Sequence, residues 1–346
     1  MADILYEALY NRILDFTACT HTPLKLFAFY VIIRHSPPNL RHYSYFTLNT
    51  MFWNFLCNIV TTLMHFYPLF PVLCFRADGI SRYIIDNEDL GYWLFILQPF
   101  LTTECALALM FTFPHRCVVF AYPRLAARIR PAWVFALCAT VHVLFGLLYF
   151  PIAIGWTVRL KNYPKMAALP DQFFVFCFHP GGMHNVAIIS AYGAVIAAGI
   201  VVIVTSSFLF LKHAKQLQTR TMYADTLALQ KTVFASLLVL SAIAMLFGGI
   251  PIVFFVCAII FPSTPYSRET VMVCMVILCN HGSISAIAFL ASFKAYRYAV
   301  KRIFSNLIVG LKGHGHRPQM VFDFSEISSI PPFSTLPTKM ALTEFL

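Results

Sequence analysis

Seven stretches of this chain are each long and apolar enough to cross a lipid bilayer, and nothing else about the sequence restricts its fold so strongly. Lipid offers backbone N–H and C=O groups no hydrogen-bond partners, so a helix of about 20 mostly apolar residues is the economical way to cross roughly 30 Å of hydrocarbon. The stretches run approximately Ile13 to Ile33, Phe46 to Leu73, Leu90 to Phe113, Ala132 to Trp156, Val186 to Leu211, Val233 to Phe261 and Val271 to Phe293. The first holds His21 and Lys25 and reads as the weakest, which leaves six or seven spans open at this level. The fold class expected is an all-α membrane protein, a seven-transmembrane helix bundle within residues 13–293.

Composition excludes a water-soluble domain: 59% of residues are apolar and 11% charged, against about 25% charged in soluble proteins. The net charge of +11 would suggest a polyanion partner in a soluble protein. Here it is distributed as a topology signal. Of 25 Lys and Arg, seventeen fall in the segments after spans one, three, five and seven, and seven in the opposite set. Positive residues are retained on the cytoplasmic side, which places residues 1–12 outside the cell and the carboxyl terminus in the cytoplasm. Residues 1–12 contain Asp3 and Glu7 and no apolar core, so no cleavable signal is expected.

Beyond span seven, residues 294–311 repeat apolar positions at three and four with Lys294, Arg297, Lys301 and Arg302 between them, the pattern of an amphipathic helix on the inner leaflet. Residues 312–346 carry several Ser and Pro without apolar periodicity and read as a disordered cytoplasmic tail.

No pair of His shares metal-ligand spacing and no nucleophile elbow is present, so neither an enzyme, a metal site nor a cofactor is expected. Ten Cys form no CxxC. Cys74, near the outer end of span two, and Cys177, in the loop 159–185, face an oxidising compartment and form the plausible disulfide; free buried thiols are the alternative.

Charged and strongly polar groups inside spans are costly enough to be functional candidates. They are Lys25, Asn58, Glu104 and Asn280. Lys25 and Glu104 share a depth, yet helix two normally separates helices one and three. A ligand pocket is expected between the outer halves of the helices, with Gln98, Thr102 and Thr103 on span three, His184 on span five, and Phe254 and Phe255 on span six. For each of these residues ordinary helix packing is the competing reading.

Around the first two spans stand Thr22-Pro23-Leu24-Lys25-Leu26-Phe27, Ser36-Pro37-Pro38 and Asn49-Thr50-Met51-Phe52-Trp53. Later come Leu227-Ala228-Leu229-Gln230-Lys231 and His281-Gly282-Ser283-Ile284-Ser285, then Lys294-Ala295-Tyr296-Arg297. In this order the sequence resembles the nematode serpentine receptor class H chemoreceptors over about residues 20–304. The resemblance implies a G-protein-coupled receptor in the plasma membrane of chemosensory neurons, acting in olfaction, that detects a small organic molecule and activates a heterotrimeric G protein.

Arg116 would then be the switch residue closing span three, with Arg124, Arg128, Arg130, Lys212, Lys215 and Lys231 facing the G protein or anionic lipid. Where the family closes span three with a Phe-Glu-Asn-Arg-like run this chain has Phe113-Pro114-His115-Arg116, and two further positions depart from the pattern. Pro114 replaces an acid beside Arg116, Asn58 replaces an Asp, and Ala295 replaces a Pro that would sharpen the exit from span seven. Loss of the acid predicts raised ligand-free signalling that Pro114→Glu lowers. A transporter or channel subunit is the alternative function class.

Overall fold

The computed structural model describes residues 2–37, 41–84, 87–122, 125, 128–163, 174–218 and 224–311. The tail beyond 311 and Arg124 lie outside the described residues. Helix α1 spans Ala2–His35 and α2 Arg41–Met64. Strands β1 (Phe66–Pro68) and β2 (Cys74–Ala77) follow, then α3 (Glu88–Ala121) and α4 (Pro131–Trp156). Strands β3 (Thr157–Val158) and β4 (Val175–Phe178) lead into α5 (Met183–Gln218). Helix α6 (Ala224–Ala244) continues through a π turn at Met245–Gly249 into α7 (Ile250–Ile260). Helices α8 (Ser267–Ser292) and α9 (Lys294–Leu311) complete the described chain.

Six rods in this set are long and apolar enough to cross a membrane: α1, α3, α4, α5, the α6–α7 rod and α8. The seventh rod, α2, falls short in hydropathy, so the weakest span is the second and not the first. Its 24 residues still reach about 36 Å at 1.5 Å per residue. It is polar because it is an inner helix. Thr47, Asn54, Asn58 and Thr61 are all buried, and Thr47, Thr50, Thr61 and Thr62 return their hydroxyls to backbone carbonyls of their own helix. Helix α2 packs against α1, α3 and α8.

Helix α3 is the pivot, touching α2, α4, α5 and α6. Its start is fixed by Asn87, whose side chain accepts from the Asp89 backbone N–H at 2.9 Å, and Glu88 and Asp89 in the first turn suit the positive end of the helix. Helix α4 opens on Pro131, where a missing N–H costs nothing. The outward faces of α4 and α5 are greasy, with Leu147, Leu148, Val204 and Phe208 all more than half exposed, as lipid contact demands.

Span two was expected to continue to Leu73, but the helix stops at Met64. His65 takes a positive φ of 44°, and Pro68 and Pro71 remove amide donors that a helix would need. The apolar run from Phe66 onward becomes a strand pair instead. The four strands form one antiparallel sheet in the order β1-β2-β4-β3, and its register sets Cys74 opposite Cys177. The two are joined by a disulfide. Phe75, Phe176 and Phe178 are fully buried under the sheet against Phe95. The Tyr92 hydroxyl donates to Val158 O and accepts from the Cys177 N–H, so α3 carries the sheet directly.

At the same end, Arg76 bridges Glu7 of α1 and Asp78. The Asp78 hydrogen bond, opposed by partial burial, holds the guanidinium more firmly protonated than usual. The Tyr10 hydroxyl donates to Phe66 O at 2.9 Å. The start of α1 and the sheet therefore occupy one end of the bundle.

At the opposite end α8 closes without the expected proline. Phe293 alone is extended (φ −111°, ψ 131°), and α9 departs immediately. The turn is held by Tyr296, fully buried, whose hydroxyl lies 2.8 Å from Ser36 Oγ and 2.7 Å from Ser44 Oγ. Arg297 Nη1 donates to Ala291 O at 2.6 Å, satisfying a carbonyl of the last turn.

Candidate functional site

Between these helices lies an internal cavity of about 190 Å³, walled by α1, α2, α3, α5, the α6–α7 rod and α8. Most of its lining is apolar: Met51, Leu109, Ile196, Ile200, Ile203 and Met275. A short polar chain runs through it. Lys25 from α1 is 1% exposed, and its Nζ donates to Asn54 Oδ1, with the Asn54 carbonyl 3.4 Å away. The Asn54 Nδ2 lies 3.3 Å from His281 Nδ1 on α8, and Nδ1 is also 3.2 Å from Leu278 O. One turn of α2 toward the sheet, Asn58 Nδ2 donates to Cys279 O at 2.7 Å. The polar face of α2 is thus tied to α1 and α8.

Gly282 makes this chain possible. A Cβ at that position would stand 1.7 Å from Asn54 Oδ1 and 2.8 Å from its Nδ2. A Gly282→Ala substitution is expected to swing Asn54 away and strip Lys25 of its acceptor, at about 1.5–3 kcal/mol for a lost hydrogen bond to a charged group. Thermal unfolding of the purified protein measures this, and an unchanged midpoint would show that Asn54 does not hold Lys25.

Beside His281 the α6–α7 rod is irregular where it lines the cavity. The π turn presents Met245, Gly248 and Gly249 to the cavity, followed by Ile252. Two adjacent glycines give this stretch little side-chain packing, and Pro251 cannot donate to the preceding turn, so the ladder of span six is broken beside the cavity.

Glu104 does not meet Lys25. It is fully buried, and its Oε2 contacts Nδ1 of His142 on α4. His142 is framed by Trp53, with ring centroids 5.3 Å apart, and its Nε2 is 3.4 Å from Asn49 Nδ2. Asn49 Oδ1 in turn accepts from the Trp53 indole at 3.1 Å. This second polar cluster locks α2, α3 and α4 together outside the cavity lining.

A cavity inside a seven-helix bundle, with a broken helix on one side, suits many membrane proteins. A family model described as Serpentine type 7TM GPCR chemoreceptor Srh matches residues 6–306. The chain belongs to this family. No curated protein is similar enough to count as a match. As an Srh chemoreceptor it is a multi-pass membrane protein of the seven-helix receptor class, and that family is one of chemoreceptors rather than of enzymes.

In this Srh receptor the six residues expected to form the pocket separate. Gln98 and Thr102 line the cavity, with the Thr102 Oγ1 3.0 Å from Gln98 O and 3.2 Å from Cys57 Sγ. Thr103, one residue on, points away and donates to Pro99 O at 2.9 Å. His184 is exposed at the start of α5, its ring stacked 5.7 Å from that of His179. Phe254 is 56% exposed on the outer face of α7, and Phe255 packs beneath the sheet on Phe75. These four lie outside the cavity because a helix that is apolar all round carries no sequence mark of which face turns inward.

Among the polar lining groups that the pocket expectation missed are Lys25, Asn54, Thr50, Ser285 and His281. Asn280 turns the other way, donating to Val276 O at 2.9 Å with Thr17 Oγ1 3.4 Å distant. Away from the sheet, Arg128, Arg130, Lys212, Lys215 and Lys231 are exposed at the helix ends. Arg116 lies within α3, and Pro114 beside it is exposed.

Proposed function

We propose that this receptor detects a small organic molecule in the cavity between its helices and passes the signal to a heterotrimeric G protein, in the plasma membrane of chemosensory neurons. The observation that carries this reading is the position of the cavity against the π turn of span six. A molecule filling the cavity touches Met245 and Gly248 directly, so its binding energy biases a rod that is interrupted at the π turn and carries Lys231 toward its far end. A ligand shifts such an equilibrium only by its differential affinity for the two states, and a wall that changes shape provides that difference.

The sheet end faces outward in this reading, for two independent reasons. Positive residues gather at the opposite end, and a disulfide such as Cys74–Cys177 persists in an oxidising compartment. Arg76 and Tyr10 tie the start of α1 to the same end, so the amino terminus lies outside with it. The cytoplasmic face then carries Arg116, Arg128, Arg130, Lys212, Lys215 and Lys231 for coupling. Helix α9 lies along the inner leaflet, with Phe304, Leu307 and Ile308 about half exposed for burial among lipid chains.

The test is to fill the cavity. Gly199 lines it, and a Cβ there would already touch Met110 Sδ at 3.4 Å. Gly199→Leu is expected to abolish odorant-evoked second-messenger output in reporter cells while surface delivery stays near wild type. A response of undiminished potency would place the ligand elsewhere.

A further inference from the structure

We infer that the molecule this receptor takes up is a small monocarboxylic acid, held by Lys25 in the cavity. The inference rests on the cavity being the ligand site and adds its chemical class.

Charge decides the sign. Among the described residues Lys25 is the one Lys in the lining, and no Asp, Glu or Arg joins it there. Among the described residues no carboxylate pairs with Lys25, which is almost completely buried and has only Asn54 oxygens as acceptors. An ammonium group offers three donors, and a cation taken out of water needs a counter-charge as well as acceptors. Glu104, the nearest candidate by depth, is held by His142 outside the lining. The missing partner is therefore an anion supplied from outside the chain. A cationic amine would meet a like charge and find no carboxylate to answer it.

Size and polarity set the rest of the molecule. An apolar cavity of about 150 Å³ takes up benzene. A cavity of about 190 Å³ has room for a body of that size with a carboxylate attached. Met51, Leu109, Ile203 and Met275 offer that body no hydrogen bonds. Ser285 also lines the cavity and can donate its hydroxyl proton to a second carboxylate oxygen, whereas the Thr50 hydroxyl is already given to Phe46 O. One oxygen on Nζ and one on a hydroxyl is the arrangement that a lone carboxylate satisfies and an alcohol does not.

The experiment uses the full-length receptor in nanodiscs with matched probes on one skeleton: benzoic acid, benzyl alcohol and benzylamine, and pentanoic acid, pentanol and pentylamine. Dissociation constants come from ligand-dependent thermal stabilisation, and nucleotide exchange on added G protein is read in parallel. The acids are expected to bind about ten- to hundredfold more tightly than the alcohols, with the amines weakest. Lys25→Met, close in volume and uncharged, is expected to erase the preference for acid over alcohol. Asn54→Asp, which keeps the shape and gives Lys25 an internal counter-ion, is expected to erase it too, so that the result does not depend on one variant folding. Alcohols binding as tightly as acids, or an acid preference that survives Lys25→Met, overturns the inference while leaving a cavity receptor intact. Acid binding without nucleotide exchange upholds it and contradicts the coupling role. Binding of no probe overturns both.

Discussion

Cys177→Ser is expected to lower the stability of the purified receptor by about 2–5 kcal/mol and to cut its delivery to the cell surface. The bond spans a sequence separation of 103 residues, and the loop-closure entropy it removes from the unfolded chain amounts to about 4.7 kcal/mol for a loop near that length. More is lost than the covalent link. Cys74 and Cys177 face each other across β2 and β4, and that strand pair holds Phe75, Phe176 and Phe178 over the helix ends. The two central strands are free to part when the bond is gone, and water reaches those rings. The other cysteines resolved in the fold are free thiols, eight in number among the described residues, so reductant has one bond to act on there. Reductant should therefore lower the unfolding midpoint of the wild type and leave Cys177→Ser unmoved. A wild-type midpoint indifferent to reductant would show that the sheet stands without the bond.

Glu104→Ala is expected to cost about 3–5 kcal/mol, because truncating one partner of a buried ionic pair leaves the other without compensation. Glu104 has no exposed surface, and His142 is 9% exposed in the middle of α4. The cluster with Asn49 and Trp53 would lose its only acidic member. Replacing both partners together, Glu104→Leu with His142→Phe, is expected to recover most of the loss, since a buried pair exchanged for apolar groups of similar volume is often close to neutral. Unfolding midpoints of the two single variants and the double variant form the cycle. Strictly additive losses would mean that Glu104 and His142 do not interact.

The rods were legible in the sequence because the bilayer imposes a length and a composition that survive without any knowledge of packing. The failure at span two is instructive. Phe66 to Leu73 is apolar enough to pass for part of a span, and Pro68 and Pro71 are what marked it as something else. Apolarity says that a segment is buried; it does not say whether lipid or a sheet covers it. Polarity misled in the other direction, since α2 falls below the usual hydropathy of a span by being surrounded by α1, α3 and α8.

The site was half legible for a related reason. Gln98 and Thr102 lie in the cavity lining because polar residues on a central helix have few other places to go. Phe254 and His184 lie elsewhere, because on helices greasy on every side nothing in the order of residues fixes the inward face. Lys25 and Glu104 were both marked by their cost, and their positions along the spans put them at one depth without naming their partners. Their partners, Asn54 and His142, are ordinary residues until the helices are set side by side. Gly282 carries no signal at all in one sequence, and its role appears only when a Cβ is placed against Asn54.

The central claim is that seven helices cross the membrane with the sheet and the amino terminus outside. Single engineered glycosylation sites, placed in the amino terminus and in each loop in turn, test it most directly. The native chain has no Asn-x-Ser/Thr site, so every modification reports the engineered position. Modification in the amino terminus and in the loops near residues 80, 170 and 265, and nowhere else, is the predicted result. Modification of the loop near 80 without the amino terminus would mean that α1 and α2 do not both cross as described, and a cytoplasmic amino terminus would contradict the receptor architecture outright.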